Sequence, residues 1–543
     1  MPPQAASQEN TKTKRKWWAL IAVCFGLFMA LLDVTIVNVA LPAIQSDLNT
    51  DFSSLEWVIS AYTLIFAVAL VTASRLGDIY GRKTIFIIGL GIFTIGSLLC
   101  ALSAHFTYGS LSHIQTLNVS RGVQGLGASA MMPLSLAIIS DTFTGKQRGL
   151  AFGIWGGISG FATAIGPLVG GYLVDYVNWQ SIFFLNIPIG IIGILLSIWA
   201  INQSRDESAH RHIDMTGLIL FTGFMFCLIF GLIRVNQANL SWTSTQILGL
   251  LGGAVVLLII FILVELRMEN PMIDPRLFKI PSFTGAAIAG FTLSAGMYAL
   301  LFYLSLYLQN SLGFEASEAG FRLVIFSAIS FLLSPVAGIL MSKGQPKWLV
   351  FISLAFLAVG VWTMSGISPG DKPGDWLVLV PGFILAGIGN GLINPPISNL
   401  AVGTVEPRRS GMASGVNSVC RQIGIAFGTA FFGAILANRY TAIVKEKING
   451  LHVRGLSDTI KEKMTHGISE AGPIAGSTGL KGNGASSGAA DGFTHSPLFP
   501  KIQEISHGAF ISGTSDIIKI AAIILAIGAV ASLFLIRKKD MKH

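Results

Sequence analysis

Charge is scarce in this chain. Asp, Glu, Lys and Arg make up 12% of its 543 residues, whereas 52% are apolar and the mean hydropathy is +0.67. A soluble chain carries about a quarter of its residues charged, so the composition excludes a water-soluble globular domain and indicates a polytopic membrane protein. Cysteine is also scarce: Cys24, Cys100, Cys227 and Cys420 stand far apart inside apolar runs. That placement excludes a disulfide or zinc framework and reads as small buried side chains. None of the nine histidines lies well inside an apolar run, which argues against a histidine proton relay or an intramembrane metal site. There is no Gly-x-x-x-x-Gly-Lys-Ser/Thr loop for an ATP-driven pump and no His-Glu-x-x-His motif. No span pairs catalytic acids or a serine with a histidine, so an enzyme is not expected, nor a metal or other cofactor.

What is present is length of apolar sequence. Fourteen runs of about 20 residues recur, the first over 17–41 and the last over 514–536. Only helices satisfy the backbone in spans of that length, so the expected fold is all-α. The tail before Trp17 carries Lys12, Lys14, Arg15 and Lys16. It resembles a signal-peptide n-region, but the following run is too long and lacks a small-residue cleavage site, so a retained first span is expected. With the N-terminus in the cytoplasm, nearly all short-loop Lys and Arg fall on that side, the short outer loops holding only Lys372 and, at a span edge, Arg234. Both termini are therefore expected inside, and the net charge of +9 reads as topology. A nucleic-acid partner is not expected.

An internal repeat appears at an offset of 262 residues. Gly125, Gly127, Pro133, Gly149, Ala151 and Gly153 recur as Gly387, Gly389, Pro395, Gly411, Ala413 and Gly415. The register predicts a six-helix half at 17–201, a linker with two extra spans at 202–281, and a second six-helix half at 282–536. Short cytoplasmic tails, 1–16 and 537–543, flank them. Parallel six-span halves are a transporter architecture with the substrate site between them. The segment 438–513 reads as one long outer loop with a Gly/Ser-rich flexible middle; docking of a partner there is the alternative reading.

Several charges fall where charge is expensive. Asp33, inside the first run, is expected to lie in the hydrocarbon, where a carboxylate costs at least about 2.5–3.5 kcal/mol on insertion scales. It is read as a protonatable site in a transport path, with a helix-packing role as the alternative. Arg121 in span 4 falls at a similar depth. An arginine beside a carboxylate favours the ionised form, so separating the two favours proton uptake. Snorkelling of Arg121 to the surface is the competing reading. Glu56, at the outer end of span 2, is a second candidate acid, and Asn38 belongs to the same first-span pattern as Asp33. Arg322, Arg421 and Asp516 are the other intramembrane charges, with Lys519 a candidate partner for Asp516. After span 2, Gly77, Asp78, Gly81, Arg82 and Lys83 form a loop that could latch two conformations, against the simpler reading of a topogenic basic loop. Span 5 carries Gly166, Pro167, Gly170 and Gly171, small residues that permit close helix approach.

Together these residues resemble the major facilitator superfamily, and within it the fourteen-span drug:proton antiporters of the EmrB/QacA type. The first-span pattern of that group is matched at Asp33, Thr35, Val37, Asn38, Ala40, Leu41 and Pro42. The loop signature is matched at Leu76, Asp78, Gly81, Arg82 and Lys83, with Ser74 in place of its leading glycine. Span 4 matches at Arg121, Gln124, Gly125 and Gly127. The antiporter signature matches at Gly166, Pro167, Gly170 and Gly171, with Ala162 for its first glycine. The resemblance implies the two-half fold and proton-coupled export of hydrophobic, often cationic, drugs across the inner or plasma membrane by alternating access. Partners would be drug-like small molecules, protons and lipid, with a periplasmic adaptor in a two-membrane host. Second-half carboxylates that some members carry for divalent cations have no counterpart here. The alternative within transport is a dedicated exporter of one lipid, siderophore or antibiotic by the same mechanism.

Overall fold

The structure, a computed structural model, describes residues 3–50, 52–205, 214–237, 242–268, 271–343, 346–370, 372–406, 409–451, 461–462, 464–469, 473 and 499–540. Among the described residues, fourteen helices are long and apolar enough to cross a membrane, as the hydropathy predicts. They are α1 (Arg15–Leu41), α2 (Trp57–Tyr80), α3 (Arg82–Leu102), α4 (His113–Thr142), α5 (Gln147–Tyr176), α6 (Ser181–Ala200) and α7 (Met215–Val235). The rest are α8 (Thr245–Glu265), α9 (Pro281–Ser311), α10 (Ser317–Met341), α11 (Pro346–Gly366), α12 (Gly374–Gly403), α13 (Ser410–Asn449) and α14 (Phe499–Leu535).

The internal repeat is a packing rule. In the first half α4 packs on α2 and α3, and α1 on α5 and α6; in the second, α12 packs on α10 and α11, and α9 on α13 and α14. Glycines at matching repeat positions make the same approaches. A Cβ on Gly125 would meet the Tyr62 carbonyl oxygen of α2 at 2.5 Å, and one on Gly387 the Phe326 carbonyl oxygen of α10 at 2.6 Å. Gly127 and Gly389 sit equally tightly on α3 and α11, where Cβ atoms would come within 2.4 Å of Phe93 N and 2.5 Å of Ser353 O. Backbones this close exclude any side chain, which is why both halves keep glycine there. The inserted α7 packs on α2 and α13, one helix from each half, whereas α8 presents most of its surface outward.

The outer segment differs from expectation. α13 continues unbroken to Asn449 and spans 40 residues, about 60 Å at 1.5 Å per residue, or twice the hydrocarbon thickness. α14 likewise begins at Phe499. The ends of the expected 438–513 loop are therefore projecting helix. Their sequence is too polar to register as a span, yet one face is apolar: Leu436, Tyr440, Val444 and Ile448 are buried. Tyr440 and Ser506 hydroxyls hydrogen-bond between the two projections. The Gly/Ser-rich middle lies outside the described residues.

The halves meet along one seam from end to end and along a second at the basic-loop end. α5 runs against α10 throughout, from Gly149 at Gly338 to Gly171 at Ser317. At the end that carries the basic loops, α2 and α4 also touch α13: Ser74 Oγ donates to the Gly411 carbonyl at 2.6 Å and Ser414 Oγ to the Pro133 carbonyl at 3.0 Å.

Candidate functional site

Asp33 is fully buried, and its carboxylate is surrounded by donors from other helices. Arg121 Nη1 of α4 donates to Oδ2 in an ion pair whose side chains are 1% and 0% exposed. Gln124 Nε2, about one turn further along α4, donates to Oδ1 at 2.7 Å, and Asn186 Nδ2 of α6 donates to the same oxygen at 3.3 Å. Ser97 of α3 accepts from Gln124 at 2.6 Å and from Asn186 at 3.1 Å. Arg121 is itself fixed: Nη1 donates to Gln124 Oε1 at 2.5 Å, Nε to the Val58 carbonyl at 2.9 Å, and its guanidinium lies 4.4 Å from the Tyr62 ring centroid. A buried ion pair repays its desolvation only when further hydrogen bonds support it, and here two neutral amides and a backbone carbonyl do so, with the Ser97 hydroxyl holding the amides in place. Arg121 does not snorkel.

The α5 signature divides into two faces. A Cβ on Gly166 would strike Thr35 Oγ1 and one on Gly170 would lie 2.8 Å from Ile36 Cγ1, so both pack against α1 within one turn of Asp33. Pro167 and Gly171 face the other half. A Cβ on Gly320 would lie 2.7 Å from Pro167 Cβ, and one on Gly171 would lie 3.0 Å from Ser317 Cβ. The four residues are thus wedged between the helix of Asp33 and α10.

At the basic-loop end, Asp78 and Arg82 pair four residues apart at 2.8 Å, both 2% exposed, and Arg82 also pairs with Asp141 of α4. The Asp78 carboxylate lies against Gly411, at the first turn of α13, so closely that any Cβ there would collide with it. A carboxylate at a helix N-terminus interacts favourably with the helix dipole. The contact joins one half to the other. Gly77 admits Leu134, and Gly81, at φ 108°, turns the chain into α3 beside Gln203. Lys83 donates to the Ile198 carbonyl at 2.6 Å.

Other candidates from the sequence stand apart from the Asp33 cluster. Asn38 is exposed and lies outside the cluster, because five residues turn a helix by about 140°. The side chain of Glu56 lies outside the described residues. Arg322 packs its guanidinium 3.4 Å from the Phe314 ring centroid and donates to the Glu318 carbonyl at 2.8 Å. Asp516 pairs with Arg439 at 2.7 Å as well as with Lys519 at 3.5 Å, in a half-exposed cluster. Sequence reasoning reaches Gln124 only as a member of the span-4 pattern, and it does not reach Ser97, Asn186 or Tyr62. The further signal available for Gln124 is its spacing, three residues from Arg121 and so on the same helix face.

The family model of the Major Facilitator Superfamily matches residues 23–429. This chain belongs to the major facilitator superfamily. It is 29% identical over 520 residues to the tetracenomycin C resistance and export protein of Streptomyces glaucescens, covering 96% of this chain and 91% of that relative. It is 36% identical over 419 residues to the multidrug resistance protein Stp of Mycobacterium tuberculosis (strain CDC 1551 / Oshkosh), covering 77% and 75%. The solved proton:xylose symporter XylE shares the fold with a TM-score of 0.57 at 13% identity, over 79% of this chain and 91% of that one. The chain is a multi-pass membrane transporter of this superfamily, and these two relatives are named for drug resistance, one of them also for export.

Proposed function

We propose that this transporter exports hydrophobic drug-like compounds in exchange for protons, in the inner or plasma membrane, with its basic end and both termini in the cytoplasm. The observation that carries the reading is the fully buried Asp33–Arg121 pair with its supporting polar groups from α3, α4 and α6. A carboxylate so placed changes charge state only when its partner moves, and that ties proton binding to conformation. Both Asp33 oxygens are engaged by protein donors, so Asp33 is assigned to the proton, and a direct contact with a cationic drug is set aside.

In this reading the seam at the basic end corresponds to a carrier closed to the cytoplasm, with Asp78 against α13 as the closing latch. A proton reaching Asp33 from outside releases Arg121. The change at α1 then passes to α5 through Gly166 and Gly170, and from Pro167 and Gly171 to α10 of the other half. Net entry of one positive charge down a membrane potential of 100 mV, negative inside, supplies about 2.3 kcal/mol.

Cells expressing the protein are expected to accumulate less of the lipophilic drugs it carries, and a protonophore should abolish the difference. Depleting ATP while the gradient is held should not. Efflux that continues at its full rate after the gradient collapses would overturn proton coupling.

A further inference from the structure

The second half buries a cation with no acid beside it. Arg421 of α13 is 5% exposed, and no Asp or Glu lies within ion-pair distance of it among the described residues. Its Nη2 donates to Asn394 Oδ1 of α12 at 2.7 Å, while its buried Nη1 meets no protein acceptor. One turn earlier on the same helix face, Asn417 is 1% exposed, and both its amide nitrogen and its amide oxygen are likewise without a protein partner. Gly290 of α9 backs both side chains: a Cβ there would come 3.1 Å from Arg421 Cγ and 3.4 Å from Asn417 Oδ1. The first half answers the same problem at Arg121 with Asp33. The second does not.

The surroundings of Arg421 are polar. A π-helical turn at Ser294–Tyr298 interrupts α9, a distortion frequent at functional sites. Tyr298, half-buried at its end, lies with its ring 5.9 Å from the Arg421 guanidinium and donates its hydroxyl to Asn390 Oδ1 at 3.2 Å. Asn390 in turn donates to Ser330 of α10 at 2.8 Å. Gly160 and Gly156 of α5 lie against Ser330 and Asn394, so this polar layer reaches the seam between the halves. Unpaired donors on a buried guanidinium and a buried amide call for an acceptor carrying negative charge.

We infer that Arg421 and Asn417 form the cargo's polar subsite and that it takes an acidic oxygen, the carboxylate, phenolate or enolate of an amphipathic compound. This deepens the export reading, on which it rests, and it selects anionic or zwitterionic cargo over purely cationic cargo. Arg421 Nη1 and Asn417 Nδ2 would donate to the acidic oxygen, while Asn394 holds the other side of the guanidinium in place.

The test compares two fluorescent probes with one apolar body, 9-anthracenecarboxylate and 9-anthracenylmethylammonium, binding to the purified full chain in nanodiscs. Binding is read at equilibrium without a proton gradient, so a failure of proton coupling leaves it untouched. Wild type should bind the carboxylate at least tenfold more tightly than the ammonium. Arg421→Gln should bring the two within twofold, Arg421→Lys should keep part of the preference, and Asn417→Ala should weaken the carboxylate alone. Thermal melting of each variant reports its folding. Equal affinities in wild type, binding of neither probe, or a preference unchanged in a folded Arg421→Gln would overturn the assignment.

Discussion

Arg121→Met is expected to stop cargo-driven proton movement, lowering it at least a hundredfold, and to lower the protein's stability. The substitution leaves Asp33 with Gln124 and Asn186 but no counter-charge. Breaking a buried pair from one side costs about 3–5 kcal/mol when the remaining charge cannot escape. Here Gln124 and Asn186 still donate to Asp33, which limits the loss of stability, while the partner that ties its charge to conformation is gone. The double variant Asp33→Asn/Arg121→Met separates the two effects. It leaves no lone charge, so melting in detergent should recover toward wild type, whereas transport in liposomes should remain absent. A single Arg121→Met variant that keeps more than half of wild-type transport would reduce Arg121 to a packing residue.

Asp78→Asn acts on the other end of the molecule. The change removes the carboxylate from the first turn of α13 and half of the ion-pair set around Arg82, leaving Asp141 as that arginine's acidic partner. A charge at a partly buried helix terminus contributes up to about 2 kcal/mol. Since about 1.4 kcal/mol is a tenfold change in an equilibrium, the closed basic end should lose population by roughly ten- to thirtyfold. Spin labels at Thr144 and Trp348, exposed on the basic ends of the two halves, should report a longer distance in Asp78→Asn than in wild type. Melting should fall less than in Arg121→Met, since Arg82 keeps Asp141 as its counter-charge. Transport that falls while the distance distribution stays unchanged would place the role of Asp78 elsewhere.

The span architecture is legible in the sequence because hydropathy and the 262-residue repeat act over long stretches, and the repeat glycines are packing contacts that tolerate no substitute. Asp33 and Arg121 are legible as charges in apolar runs, where charge needs a reason. Their neutral partners are not: Ser97 and Asn186 are small polar residues on other helices, and no spacing within one helix shows which neighbours meet in a bundle. The Asp78–Arg82 pair is four residues apart and so is readable, but its contacts with Asp141 and Gly411 bridge separate helices and, at Gly411, separate halves. Asn38 belongs to the same motif as Asp33 yet faces away from the cluster, because motif membership does not fix a helix face. The projecting ends of α13 and α14 escape detection because their helices leave the apolar layer and keep only one buried face.

The most direct test of the central claim uses the purified chain in liposomes holding an internal pH dye under an imposed proton gradient. Cargo-triggered proton movement is measured for wild type and for Asp33→Asn, with folding of both confirmed by melting. The account predicts a clear response in wild type and none in Asp33→Asn. An undiminished response in Asp33→Asn would contradict it, because the proton would then cross without the buried carboxylate on which the mechanism turns.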